Sequence, residues 1–95
     1  MVTELEKMVE EFYCLVDEIE DEEYPEKMDA FLSRMYSYVK QKYDDSEDFH
    51  HDLHEACVKV GRHLGRHVVY SSLADMLAGY SFSLLPPEEQ RGIYL

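Results

Sequence analysis

Cationic side chains are scarce in this chain: nine Lys and Arg stand against 21 Asp and Glu over 95 residues, a formal net charge of −12. A field of that sign repels nucleic-acid phosphates and anionic membranes, which argues against direct binding to either, and attracts basic protein surfaces, including those that themselves grip nucleic acid. Long apolar runs are missing too. None approaches the roughly 20 residues of a membrane span, and MVTELEKMVEE lacks the basic region and apolar core of a signal peptide, so a cytoplasmic protein is expected. The two cysteines, Cys14 and Cys57, have no CxxC spacing. Both fall in apolar helical patterns and read as buried free thiols, a disulfide requiring their helices to lie side by side. Four glycines and three prolines leave no low-complexity linker, no Gly-rich phosphate loop and no GxSxG elbow. The length fits a single domain, residues 1–95, with one modest core; no enzymatic activity and no cofactor are expected.

Helical periodicity is what the chain does have. From Thr3 to Glu20, Leu5, Met8, Val9, Phe12, Leu15, Val16 and Ile19 recur at spacings of three and four, one stripe of a helix that Thr3 and Glu6 open as a capping box. A second helix begins near Pro25, carries Met28, Phe31, Leu32, Met35, Tyr38 and Val39 inward, and ends near Tyr43. The cluster Asp44-Asp45-Ser46 breaks that pattern and caps a third helix with Phe49, Leu53, Ala56, Cys57, Val60, Leu64 and Val68 on its core side. This third helix is read as continuous through residues 50–67. The tandem GRHLGRH inside it puts Gly61 and Gly65 four apart, either to admit a neighbouring helix or to break this one. Ser72 and Asp75 are placed to cap a short fourth helix that Gly79 helps to end, and Pro87 and Gly92 to bracket a C-terminal helical turn. The fold class is therefore all-α, a bundle of about four helices with a short C-terminal turn. Its apolar tail, ending in GIYL, favours a homodimer.

The charge is unevenly placed. Residues 1–55 hold 18 acids and five bases, net −13, and residues 56–95 three acids and four bases, net +1. On the first helix Glu6, Glu10, Asp17 and Asp21 form one row, and Glu4, Glu11, Glu18 and Glu22 a second, both expected on the solvent side. Carboxylates four apart on a helix are about 6 Å apart, comparable to successive phosphates of one nucleic-acid strand, and they destabilise the helix by about 0.2–0.5 kcal/mol per pair. The candidate partner-binding face is Glu6, Glu10, Asp17, Glu18, Asp21, Glu22, Glu23 and Glu26, and its expected partner is a basic nucleic-acid-binding protein. Solubility alone accounts equally for such a face.

Arg62 and Arg66, with His63 and His67, make the one concentrated basic patch. They are placed to hold a small anion, with Tyr13, Tyr36, Tyr38 and Tyr43 lining a pocket, or to neutralise an acidic helix. His67 lies near enough to the apolar stripe to be half-buried. His50/His54, His63/His67 and His51/Glu55 share helical faces at a spacing of four. One helix supplying all of them is not the ligand arrangement of a metal bundle, which draws on several helices, so no metal is expected.

Asp52 to Leu77, DLHEACVKVGRHLGRHVVYSSLADML, resembles the Asp-Leu-His-acid-Ala helix and following Tyr-bearing segment of phage antirestriction proteins of the overcome-classical-restriction type. The resemblance spans 26 of 95 residues. It implies a helical dimer that imitates DNA and blocks a DNA-binding enzyme. The Gly-Arg-His repeat departs from that pattern, being positive where those proteins are acidic.

Overall fold

A computed structural model describes residues 3–88, which form four α-helices and no strand: α1 (Glu4–Asp17), α2 (Tyr24–Lys42), α3 (Ser46–Leu64) and α4 (Tyr70–Ser83). The Oγ1 of Thr3 accepts from the backbone N–H of Glu6, and an Asp45 carboxylate oxygen from that of Glu47, so α1 and α3 begin where their cap residues stand. Pro25 sits in the first turn of α2, where its missing N–H costs nothing. No helix among the described residues is long and apolar enough to cross a membrane.

Neighbours around the bundle run α1, α2, α4, α3 and back to α1. Ion pairs of Glu11 with Arg34 and Glu18 with Lys27 set α1 and α2 antiparallel. α3 runs in the same direction as α1, with Lys59 beside Glu6 and Gly61 against Tyr13. Val9, Phe12, Tyr13, Phe31, Met35, Leu53, Cys57 and Leu73 are the innermost side chains. Phe12 and Phe31 meet at 5.9 Å between ring centroids, and Tyr36 meets Tyr80 edge-on at 5.8 Å.

Several boundaries differ from the expectation. α1 stops at Asp17, three residues early, because the chain turns through Glu18–Glu23 with the Asp21 side chain bonded to the Glu23 N–H; Ile19 is left 63 % exposed. α3 does not continue through His67. Gly65 takes φ +65° and ends it, the Arg66 N–H bonding back to the Gly61 carbonyl, so Leu64 and Val68 fall outside the core and His67 is exposed. The two glycines thus divide the two proposed roles: Gly61 is the close approach and Gly65 the break. α4 starts at Tyr70 without the Ser72 cap and runs past Gly79 to Ser83. Cys57 is buried, but Cys14 is exposed, because it sits on the side of α1 opposite the core stripe; both are free. Pro87 and Glu88 are helical, while Gly92 and the GIYL end lie outside the described residues.

Candidate functional site

The two acidic rows of α1 do not lie along open solvent. Successive residues of a helix step by 100°, so with Leu5, Met8, Val9 and Phe12 inward the middle of the outer face belongs to Lys7 and Cys14, and the carboxylates flank it. One row lies along the seam with α3. There Glu6 is 3.9 Å from Lys59, and both carboxylate oxygens of Asp17 accept from Arg66 at 2.8 Å. The other lies along the seam with α2, where Glu11 pairs with Arg34. Glu18, Asp21 and Glu22 stand in the turn beyond α1 and so continue neither helical row.

With the seams partly neutralised, the surplus charge collects at two places. Residues 17–29 hold eight carboxylates and one base, Lys27, net −7. Lys27 is held among Glu18, Asp21 and Glu23 at 3.5, 3.4 and 4.0 Å. The backbone N–H of Glu23, followed by Lys27, holds the Asp21 carboxyl below its ordinary pKa. Glu20, Glu22, Glu26 and Asp29 make no ion pair or hydrogen bond through their carboxylates among the described residues. Residues 44–55 hold six carboxylates and no Lys or Arg, net −6. Residues 30–42 of α2, about 20 Å at 1.5 Å per residue, separate the two. Of the candidate acidic face, Asp17, Glu18, Asp21, Glu22, Glu23 and Glu26 belong to the first concentration. Glu6 and Glu10 lie apart from it, along α3 near Lys59 and His63.

One member of the basic patch is already paired. The Arg66 guanidinium is spent on Asp17 and stacks 4.9 Å from the centroid of Tyr13, whose hydroxyl donates to the carbonyl of His67. Arg66 thus neutralises the acidic first helix, while Arg62, His63 and His67 are exposed around the end of α3. His50 Nδ1 lies 3.1 Å from the Tyr70 hydroxyl, and the His54 ring stands edge-on to Tyr70 at 5.2 Å. One ligand atom each of His51, Asp52 and Glu55 lie within 4.8 Å of one another, close enough to share a cation. All three are exposed on one helix face, and Asp52 already accepts from Tyr43.

Of the four tyrosines expected around one pocket, only Tyr38 and Tyr43 share a cleft, away from the GRHLGRH residues; Tyr36 faces another beside Val39 and His50, and Tyr13 is buried against Gly61 and Arg66. Where α1, α2 and α3 meet, an open cleft of about 300 Å³ is lined by Thr3, Leu5, Glu6, Tyr38, Tyr43, Asp52, Glu55, Ala56 and Lys59. The Tyr43 hydroxyl donates to Asp52 Oδ2 at 2.8 Å, and Tyr38 and Tyr43 meet edge-on at 6.4 Å. Burial, then the bond to Asp52, pushes the Tyr43 hydroxyl far above its ordinary pKa, so it stays a donor. The part of Lys59 and Glu6 escapes a reading of the stripes, since neither is a core position. The spacing of four from Glu55 to Lys59 is the one local signal that these two share a face.

No protein-family model matches this chain, and comparison with curated proteins and with solved structures returns no match.

Proposed function

We propose that this protein acts by binding, docking its acidic ends on a basic, nucleic-acid-handling protein and occupying a surface that would otherwise hold phosphates. The observation that carries the reading is the pair of carboxylate concentrations, net −7 over residues 17–29, where Arg66 from outside the segment offsets Asp17, and net −6 over residues 44–55. Two poles separated by most of α2 suit a basic groove better than the two phosphate-like rows expected on α1, which the ion pairs to Arg34, Lys59 and Arg66 interrupt. The rival reading, a small-anion site on Arg62, His63, Arg66 and His67, would first have to break the Arg66–Asp17 pair.

Binding to restriction, CRISPR and recombination nucleases, measured across a salt series, tests the proposal. Association is expected to be fast and to weaken steeply with salt. Replacing Glu20 and Glu22 by Lys, or Asp44 by Lys, should weaken it roughly tenfold or more, like-charge juxtaposition at an interface costing several kcal/mol. Affinity indifferent to salt and to these reversals would falsify it.

A further inference from the structure

We infer that the cleft where α1, α2 and α3 meet is a binding site for the head of an alkylammonium or alkylguanidinium cation. The inference stands whether or not the proposed protein partner exists.

Sign comes first. Glu6, Asp52 and Glu55 face the cleft and Lys59 is the only fixed cation among the described residues that line it, so this lining carries net −2. The Glu6 side chain is only 16 % exposed, yet among the described residues its carboxylate accepts no hydrogen bond and its nearest cation is Lys59 at 3.9 Å. Its oxygens still reach solvent, but a partly desolvated carboxylate gains from a close, hydrogen-bonding counter-charge, which the loose Lys59 pair does not supply. Lys59, itself 69 % exposed, stands at the rim and can swing out to admit a second cation.

Shape and chemistry agree with this. At about 300 Å³ the cleft is at the small end of ligand pockets, too small for a helix and large enough for a short alkyl chain with a charged head. Tyr38 and Tyr43 both line the cleft, and an ammonium or guanidinium that reaches a ring face there gains a further attraction that grows as water is excluded. The Tyr43 hydroxyl donates to Asp52 Oδ2, which fixes that carboxylate, while Oδ1 faces only His51 Nδ1 at 3.5 Å, too long to fill it. Glu55 has no partner among the described residues and completes the acidic side. An anion would meet three carboxylates and one mobile Lys. A bare metal ion would forgo both the tyrosines and the apolar wall of Leu5 and Ala56.

Two sources share this chemistry: a Lys or Arg side chain presented by a protein, and a free polyamine. Titration of the full chain with n-butylammonium, n-butylguanidinium and spermidine at fixed ionic strength, followed by amide NMR, tests the site, with n-butanol and butyrate as controls. Saturable shifts centred on Thr3, Tyr43, Asp52, Glu55 and Lys59, absent with both controls, are expected. Glu55→Gln should weaken binding roughly tenfold, the loss of one charge-assisted hydrogen bond, and the Asp52→Asn/Glu55→Gln pair further. Because Glu55 is exposed and unpartnered, its single variant keeps the test valid if the double variant fails to fold. Spermidine bound more than about tenfold tighter than butylammonium at the same residues assigns the cleft to a free polyamine, and similar affinities assign it to a side chain. Shifts spread equally over the acids of residues 17–29, or unchanged by Glu55→Gln, would show generic counter-ion attraction and overturn the inference.

Discussion

A methyl group added at Gly61 would stand 3.1 Å from the Tyr13 hydroxyl and 3.3 Å from the carbonyl of Arg66. Neither neighbour is free to retreat: Tyr13 is held by its bond to the His67 carbonyl, and the Arg66 carbonyl belongs to the segment that returns along α3. Overpacking of about 1–3 kcal/mol therefore outweighs the roughly 1 kcal/mol that Ala gains over Gly in a helix, and Gly61→Ala should lower stability in urea unfolding. Gly79 is the internal control. It lies inside α4 with nothing within 4 Å of an added methyl, so Gly79→Ala should raise stability by up to about 1 kcal/mol. Thiol chemistry separates two further residues. Burial pushes the Cys57 thiol up to about 11, whereas Cys14 is exposed, so a thiol reagent should label one cysteine in the native protein and the second only on unfolding. Tyr13 and Tyr43 make a prediction at alkaline pH. Both folded pKa values are raised, chiefly by burial, so the stability they contribute is present below the unfolded value near 10 and is lost as pH rises past it. A late tyrosinate absorbance step coincident with unfolding is expected, diminished in Tyr13→Phe and in Tyr43→Phe.

Helices were legible where local chemistry and tertiary packing agree. α2 and the start of α3 lie within a residue or so of their expected bounds, since Pro25 and Asp45 act within one turn of themselves. The ends of α1 and α3 depend on something periodicity does not carry. Ile19 completes an apolar stripe, yet the turn built on Asp21 takes the chain away before Ile19 can face the core. GRHLGRH is a four-residue echo in sequence but has two different glycines in space, because only Gly61 meets another helix and only Gly65 adopts a left-handed backbone. The candidate site was legible as an excess of charge and not as a place: which carboxylates keep a counter-charge depends on Arg34, Lys59 and Arg66, each 23 to 53 residues away from its acid. These seam pairs also define a prediction for the elements they join. The Arg66–Asp17 pair is bidentate but exposed, 39 % and 58 % for the two side chains, and exposed pairs contribute about 0–1 kcal/mol. Asp17→Asn should therefore cost less than about 1 kcal/mol in urea unfolding, with the difference shrinking as salt is added. A larger loss would mean that the pair, and not the packing of Tyr13 against Gly61, holds α1 to the end of α3.

At the scale of the molecule, net charge sets stability and binding against each other. Carboxylates at residues 17–29 and 44–55 outnumber the cations that meet them, so the folded state holds like charges closer together than the unfolded chain does. Salt screens that repulsion along with the few favourable pairs, and the repulsive set is the larger. Raising NaCl from about 0.05 to about 0.5 M should thus raise Tm by several degrees, given that a gain of about 1 kcal/mol moves Tm by about 4–8 °C in a domain of this size. The Glu20→Lys/Glu22→Lys variant sharpens this. Both positions are exposed in the turn between α1 and α2, where new cations relieve like-charge repulsion; the one at position 20 follows the negative end of α1, and the gain outweighs the approach of the one at position 22 to the positive end of α2. If the carboxylates are kept for a basic partner, this variant should melt higher than the parent at low salt and bind the partner less well. A variant that lost both stability and binding would trace the binding defect to damage of the turn, and one that gained stability with binding intact would place the docking surface elsewhere on the molecule.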